Sequence, residues 1–328
     1  MRTRTDRGRP FACEGSAGRW GLGVGRLDFT GSFTLLVTPF GPGGGIDWTG
    51  YDRLVAYHRA SGGQGIFAVC GTAEMQALAL DERVRLAEVA AAGAAGLPVV
   101  ATGNLEPDLD AQVDEVRRIS RTGVAGVVLV PPGRRPDDEG LYAWFARLAY
   151  ASAVPALLYE WPGRQPKGIP AAVYGRLVRQ CGVVGIKDTT CTHAGIAAKL
   201  EAAPEGIVYQ ANHPLLVAAM EAGARGTMTI TSAVRPDLLG ALWSAHHSGD
   251  AARRAALARE VVFLDAVLAQ GHPRGAKWLL HRAGVLGHAG CRAGGPPDDA
   301  QRAALEAWVQ GAPRWCGPHT PPGLGWDG

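Results

Sequence analysis

The sequence predicts a (β/α)8 TIM barrel followed by a C-terminal helical region. First, short apolar runs alternate with longer amphipathic segments from Gly31 onwards. Second, eight such runs follow one another in a single series. Third, the pattern after the eighth run is purely helical. Continuous apolar runs separated by helices are typical of parallel strands that helices cover on both faces.

The eight apolar runs predict the strands of the barrel. In chain order they are SFTLLVT (32–38), GIFAVC (65–70), LPVVAT (97–102), AGVVLV (125–130), VPALLY (154–159), VVGIK (183–187), GIVYQ (206–210) and RGTMTI (225–230). A doubly wound open sheet is the alternative. It is disfavoured because no glycine-rich phosphate-binding fingerprint follows the first strand.

The amphipathic segments predict the helices. Residues 81–96 begin with acidic residues and end at a glycine, as helices often do. Residues 108–123 place Val113, Val116 and Ile119 on one apolar stripe. Helices are also predicted after the last strand, at 256–271, 275–286 and 299–311. The resulting organisation is a flexible tail (1–30), the barrel (31–248), C-terminal helices (249–311) and a Pro/Gly-rich tail (312–328).

The composition excludes several classes of protein. A net charge of +3 on 328 residues is too small to indicate a nucleic-acid partner. No apolar stretch reaches the length of a membrane helix, and the N-terminus lacks the apolar core of a secretory signal. The six cysteines form no C-x-x-C pair, which favours reduced thiols over disulfides or a zinc site. We therefore expect a cytoplasmic protein without a bound metal.

Lys187 is the first candidate catalytic residue, because it ends the sixth predicted strand in the motif GIKD. Active sites of such barrels lie at the carboxyl ends of the strands. A lysine there forms a Schiff base with a carbonyl once burial has lowered its pKa. Asp188 does not oppose this if neighbouring side chains of the strand point to opposite faces. The alternative is that Lys187 only pairs with a carboxylate at the rim.

Tyr159 ends the adjacent fifth strand in the same manner. Its phenol is then placed to carry protons to and from a carbinolamine or imine at Lys187. The alternative is a tyrosine of the barrel wall whose hydroxyl bonds to backbone.

Several motifs occur in a specific order and spacing. They are VTPF (37–40), CGTAE (70–74), LYEWPGR (158–164) and GIKD (185–188), with weaker similarities at EGLY (139–142) and KWLL (277–280). From about Gly31 to about Gln310 the sequence resembles the dihydrodipicolinate synthase / N-acetylneuraminate lyase superfamily, the class I aldolase-type barrels. The resemblance implies an imine between Lys187 and a 2-oxo acid, typically pyruvate, with Tyr159 as the proton-relay partner and no metal or organic cofactor.

The same resemblance implies the substrate contacts. Thr72, with the backbone amides around Gly71 and Thr72, would hold the carboxylate of the 2-oxo acid. The carbonyl of Met228 would face the same pocket. Arg164 would bind the carboxylate of a second substrate, for which its planar fork is suited; the alternative is a solvated loop arginine. The family also implies a homo-oligomer, a dimer or a tetramer.

The sequence departs from the family at three places. Gly71 and Gly133 stand where the synthases carry the hydroxyls of a relay to solvent, one from a threonine and one from a tyrosine that a neighbouring subunit provides. Glu160 replaces an asparagine and is followed by Trp161. We therefore expect a divergent branch of the superfamily rather than an authentic dihydrodipicolinate synthase.

Glu160 and Glu74 are candidate substrate-binding residues, as a general base or as partners of an amino or hydroxyl group. The alternative for Glu160 is geometric, because the residue after Tyr159 should face the helices. The alternative for Glu74 is a salt bridge within the loop.

The leading function is therefore a Schiff-base lyase or aldolase that acts on a 2-oxo acid. A 2-oxo-acid dehydratase that uses the same imine is the nearest alternative. An alternative of another class is a non-catalytic barrel that serves as a 2-oxo-acid binding or regulatory protein. Nucleic-acid binding by the Arg-rich start is the weakest alternative.

Overall fold

The structure is a computed structural model that describes residues 28–311, and eight parallel strands close there into one barrel. The strands are β1 (Gly31–Leu35), β2 (Gly65–Phe67), β3 (Val99–Thr102), β4 (Gly126–Leu129), β5 (Ala156–Tyr159), β6 (Val183–Asp188), β7 (Ile207–Gln210) and β8 (Gly226–Thr227). Each strand pairs in parallel with the next one along the chain, and β8 pairs with β1. The predicted (β/α)8 fold is confirmed.

Several strands are shorter than the apolar runs that predicted them. β2 ends at Phe67, whereas the run continues through Ala68 and Val69 to Cys70. These three residues are as deeply buried as the strand itself, although the assigned strand ends before them. β8 likewise keeps only two of the six residues of its run. Apolar runs therefore mark burial better than they mark strand ends, and hydrogen bonds between neighbouring segments continue past the assigned end of β2, from Ala68 to Val100 and from Thr102 to Val69.

Eight helices alternate with the strands. They are α1 (Trp48–Ala60), α2 (Leu80–Gly93), α3 (Leu109–Ile119), α4 (Asp138–Ala151), α5 (Ala171–Cys181), α6 (His193–Ala202), α7 (Leu216–Glu221) and α8 (Pro236–His247). Local sequence fixes several of their ends. The carboxylates of Asp108 and Asp137 accept hydrogen bonds from backbone amides in the first turns of α3 and α4, at 2.9 and 2.8 Å.

Three further helices follow the barrel: α9 (Ala251–Leu268), α10 (Arg274–Arg282) and α11 (Asp299–Gly311). Leu264, Leu279 and Trp308 from these helices belong to the same apolar cluster as the strands of the barrel. α9 also contacts the short turns that follow β7 and β8. The C-terminal helices therefore reach the end of the barrel at which the site is expected.

Two of the predictions fall outside the described residues. The C-terminal tail lies there entirely, and so does the N-terminal tail up to residue 27. Within residues 28–311, no helix combines the length and the apolar character that crossing a bilayer requires.

Candidate active site

Lys187 and Tyr159 stand side by side at the carboxyl ends of β6 and β5. The ladder between these strands pairs the two residues directly. The ammonium nitrogen of Lys187 lies 4.4 Å from the centre of the Tyr159 ring and 5.4 Å from that of Phe67. The Lys187 residue is only 4% exposed. The pair predicted from two strand ends is thus brought together in a buried aromatic setting.

The charge of Lys187 has no carboxylate partner within residues 28–311, since no acidic oxygen there lies within 4.0 Å of its nitrogen. Burial lowers the pKa of Lys187 from 10.5 to about 8, and the nearby Cys70 thiol acts weakly in the opposite direction. At pH 7 roughly a tenth of the molecules therefore hold the neutral amine. The rim salt bridge considered as the alternative is not formed in this structure.

Asp188 faces away from Lys187, as the alternation along β6 predicts. Its carboxylate lies 2.6 Å from the nitrogen of Lys199 on α6. It also accepts a hydrogen bond from the Thr190 amide at 3.1 Å. The acid next to Lys187 is therefore paired with a lysine on the helix side of the strand.

Glu160 lies on this helix side as well. One of its oxygens is 3.0 Å from the Lys199 nitrogen, and its carboxylate accepts bonds from the amides of Ile169 (2.9 Å) and Thr189 (3.1 Å). The carboxylate thus fixes the loop after β5 to the loop after β6. This geometry agrees with the alternative given for Glu160, because the residue after Tyr159 faces α6.

Glu74 is also engaged in structural contacts. Its buried carboxylate pairs with Lys277 of α10 and accepts bonds from the amides of Arg292 (2.8 Å) and Ala293 (2.9 Å). The backbone of Glu74 is left-handed, with a φ of 57°, which is uncommon for a residue other than glycine. These contacts favour the salt-bridge alternative for Glu74, which connects the loop after β2 to the C-terminal region.

The residues predicted to hold the substrate carboxylate lie close to the pair. Gly71 and Thr72 begin a single 3₁₀ turn, Gly71–Ala73, soon after β2. Thr72 is buried, and a Cβ added to Gly71 would lie 3.5 Å from the Tyr159 hydroxyl. Burial raises the pKa of that hydroxyl, so the Tyr159 phenol keeps its proton at neutral pH. Met228 directly follows β8 and is buried.

Arg164 lies on the loop between β5 and α5. Its guanidinium carbon is 5.9 Å from the centre of the Trp161 ring. Its Nε atom is buried, with no hydrogen-bond partner among residues 28–311. A buried donor without an acceptor is costly, so this group has unused capacity for an anionic ligand.

Two histidines near the site carried little or no sequence signal. His213, after β7, contacts Asp265 of α9 (2.9 Å) and the Thr231 hydroxyl (2.8 Å). The Nδ1 atom of His272 is buried without a partner in the described chain, and burial together with the charge of Lys187 lowers its pKa to about 4. His272 was missed because it follows α9, outside the series of strands. No group of three His, Cys, Asp or Glu side chains suited to a metal occurs in the part of the chain that the structure describes.

Comparison with known proteins places this geometry in a family. The model of the Dihydrodipicolinate synthetase family matches residues 28–311. The 4-hydroxy-tetrahydrodipicolinate synthases of Azoarcus sp. (strain BH72) and Laribacter hongkongensis are 32% and 31% identical to this chain. Each alignment covers 78% of this chain and 89% of the relative.

Solved structures show the same architecture. A dihydrodipicolinate synthase from Bacillus anthracis superposes with a TM-score of 0.82 at 26% identity, over 88% of this chain and 100% of that one. The enzyme from Acinetobacter baumannii, solved in complex with pyruvate, gives a TM-score of 0.80 at 25% identity, over 86% and 98%. The closed barrel, the strand-six lysine beside a strand-five tyrosine and the match along nearly the whole barrel agree: the chain belongs to the Dihydrodipicolinate synthetase family.

Proposed function

We propose that this protein is a Schiff-base lyase of the aldolase type, in which Lys187 forms an imine with a 2-oxo acid such as pyruvate. One observation carries the proposal: a buried lysine without a carboxylate partner in the described chain lies next to the tyrosine of the adjacent strand. Membership of the family supports it, as does the pyruvate complex of the Acinetobacter baumannii enzyme.

The chemistry follows from the two side chains. The neutral amine of Lys187 attacks the carbonyl carbon of the 2-oxo acid, and the carbonyl oxygen takes up protons and leaves as water. Tyr159 gives and recovers the protons that the carbinolamine and the imine require. The iminium then accepts an electron pair from the adjacent carbon, so that a carbon–carbon bond forms or breaks there. No metal or organic cofactor enters this sequence of steps.

The remaining predicted contacts orient the substrate in this proposal. Thr72 and the amides around Gly71 and Thr72 hold the carboxylate of the 2-oxo acid. The Met228 carbonyl faces the same pocket, and Arg164 binds the carboxylate of a second reactant. The buried, unpartnered Nε of Arg164 supports the last assignment over that of a solvated loop arginine.

We further propose that the second reactant differs from that of an authentic synthase. Gly71 and Gly133 provide no hydroxyl where the synthases have a relay, and the bulky Trp161 lies against Gly71. The dehydratase reaction uses the same imine and is the second candidate. We expect the protein to act as a cytoplasmic homo-oligomer.

Borohydride trapping tests the imine. The protein is incubated with pyruvate, reduced and weighed intact, next to Lys187→Ala and to Lys167→Ala, which removes a loop lysine that donates to the Thr189 carbonyl. We expect a mass gain of one reduced pyruvyl group that is lost only in Lys187→Ala. No gain with pyruvate or longer 2-oxo acids would contradict the proposal.

A product assay then separates the reactions. We expect no formation of 4-hydroxy-tetrahydrodipicolinate, the product for which the relatives are named. Efficient formation would show an authentic synthase. An imine that is trapped with no turnover of any second reactant would instead identify a 2-oxo-acid binding barrel.

A further inference from the structure

The enamine that follows the imine requires a base, which must remove a proton from carbon 3 of the 2-oxo acid. The groups next to Lys187 are poorly suited to this step. No carboxylate oxygen of the described residues lies within 4.0 Å of its nitrogen. Burial raises the pKa of Tyr159 and of Cys70, so the phenol and the thiol both keep their protons at neutral pH. The base is therefore expected on another element.

His272 lies on the connection between α9 and α10, which is anchored at two places on the carboxyl end of the barrel. Before it, the carboxylate of Asp265 on α9 lies 2.9 Å from Nδ1 of His213, which follows β7. After it, Lys277 of α10 pairs with Glu74, which follows the turn after β2. The strands between these anchors are β8 and β1. The connection therefore spans the end of the barrel at which the imine forms.

The imidazole of His272 is available as a base. Its Nδ1 atom is buried and has no hydrogen-bond partner within residues 28–311. A neutral imidazole carries its proton on one nitrogen, so the tautomer protonated at Nε2 presents a free lone pair at Nδ1. Burial and the charge of Lys187 lower the pKa of His272 to about 4, whereas Asp265 raises it. These effects show that both charged groups lie within electrostatic range of the ring, which is neutral at neutral pH.

Transfer of the carbon 3 proton to His272 keeps the number of buried positive charges at one. The electron pair of the carbon–hydrogen bond becomes the carbon–carbon double bond of the enamine. The electron pair of the carbon–nitrogen double bond returns to the nitrogen of Lys187. The positive charge thus moves from the iminium to the imidazolium, and the charge that opposed protonation of His272 disappears in the same step.

We propose that His272 is a further catalytic residue, the base that converts the imine at Lys187 into its enamine. Tyr159 keeps its role in the steps that form the carbinolamine and the imine. Condensation with a second reactant and dehydration both begin with this proton transfer, and in the direction of cleavage the imidazolium returns a proton to carbon 3. His272 as a residue is only partly buried, so its imidazolium can exchange protons with solvent. The inference rests on the proposed function, because the step needs the imine.

Exchange of the methyl protons of pyruvate in D2O tests this step without a second reactant. Loss of the methyl signal is followed by proton NMR, and borohydride trapping at the same neutral pH gives the rate of imine formation. We expect the unchanged protein to exchange these protons faster than buffer alone. His272→Gln and His272→Ala should slow exchange by about 10²–10⁴-fold, the usual contribution of a positioned base, and leave trapping nearly unchanged. His281→Gln, which alters an exposed histidine of α10, should change neither rate.

The two rates together distinguish the failure of this inference from that of the imine. Exchange at the original rate in folded His272→Gln and His272→Ala would overturn this inference alone. An equal loss of trapping and exchange in both variants would also overturn it, because His272 would then not act after the imine. Trapping without exchange in the unchanged protein has the same meaning. Absence of trapping in every protein would overturn the Schiff-base proposal and this inference with it.

Discussion

Lys187 and Lys199 are both buried lysines of the same barrel wall, but their surroundings are opposite. Lys187 lies inside the barrel among the rings of Tyr159 and Phe67. Lys199, on α6, lies between the carboxylates of Asp188 and Glu160. Two consecutive residues of β6 thus belong to different environments. Lys187 provides the amine inside the barrel, and Asp188 provides one of the carboxylates around Lys199.

The comparison shows how one fold assigns two roles to one residue type. Lys199 keeps its charge because it is paired with two carboxylates, and these pairs hold α6 against β5 and β6. Removing one partner of such a buried pair strongly destabilises the fold, because the other charge is left uncompensated. An unpaired buried ammonium instead gives up its proton more readily, which is what a nucleophilic amine needs. The alternation of side chains along β6 keeps the two environments apart.

Removing the paired lysine should have the largest effect on stability. We expect Lys199→Met to lower the free energy of unfolding by about 3–5 kcal/mol, because Asp188 and Glu160 would remain buried as uncompensated charges. Urea unfolding at pH 7 measures the change, with Lys167→Met as the control on a loop. An unchanged unfolding midpoint would show that solvent already screens this cluster.

Removing the unpaired lysine should change stability in the opposite direction. The folded state holds the proton of Lys187 with a pKa of about 8, against 10.5 for an ordinary lysine. Below pH 8 the charged side chain of Lys187 therefore destabilises the folded state by roughly 3 kcal/mol. Lys187→Met should raise the free energy of unfolding by about this amount. The gain should shrink as the pH rises from about 8 to 10.5, since the folded protein then loses its proton before the unfolded chain does. A loss of stability in urea unfolding at pH 7 would contradict the comparison.

The glutamates should behave as structural partners. We expect Glu74→Gln and Glu160→Gln each to lower the free energy of unfolding by about 1–3 kcal/mol. The first change leaves the buried Lys277 with a neutral amide, and the second leaves Lys199 with Asp188 as its remaining carboxylate partner. Imine trapping per folded molecule should be retained. A role in the site would instead abolish turnover, while imine formation and the melting temperature would both stay unchanged.

The pH dependence of imine formation should be the mildest of these effects. Only the neutral amine of Lys187 attacks the carbonyl, so the initial rate with pyruvate should fall about tenfold for each pH unit below about 8 and level off above it. Quenching with borohydride at a series of pH values and weighing the protein gives this rate. A rise that continues to pH 10 would indicate a lysine with its ordinary pKa.

The sequence predicted the fold and the central pair because both depend on local pattern. Eight apolar runs required eight strands, and strand ends in a parallel barrel meet at one edge, so Lys187 and Tyr159 had to be neighbours. The direction of Asp188 also followed from alternation. Contacts that depend on distant segments gave no comparable signal, so the buried partners of Glu74 and Glu160 were not predicted. The partner of Glu74 is 203 residues away, and His272 lies on a connection between helices.

The contact between Glu74 and Lys277 also has a consequence for synthesis. When the ribosome has synthesised all eight strands, it has not yet synthesised α10, which carries Lys277. The carboxylate of Glu74 therefore lacks its ammonium partner at that stage. The turn that begins with Gly71 and Thr72 then lacks its attachment to the C-terminal region. Contacts between residues so distant in sequence form late, because a long loop must first close. The nascent chain would thus complete its barrel before it completes its active site, and activity would begin only after the last helices have docked.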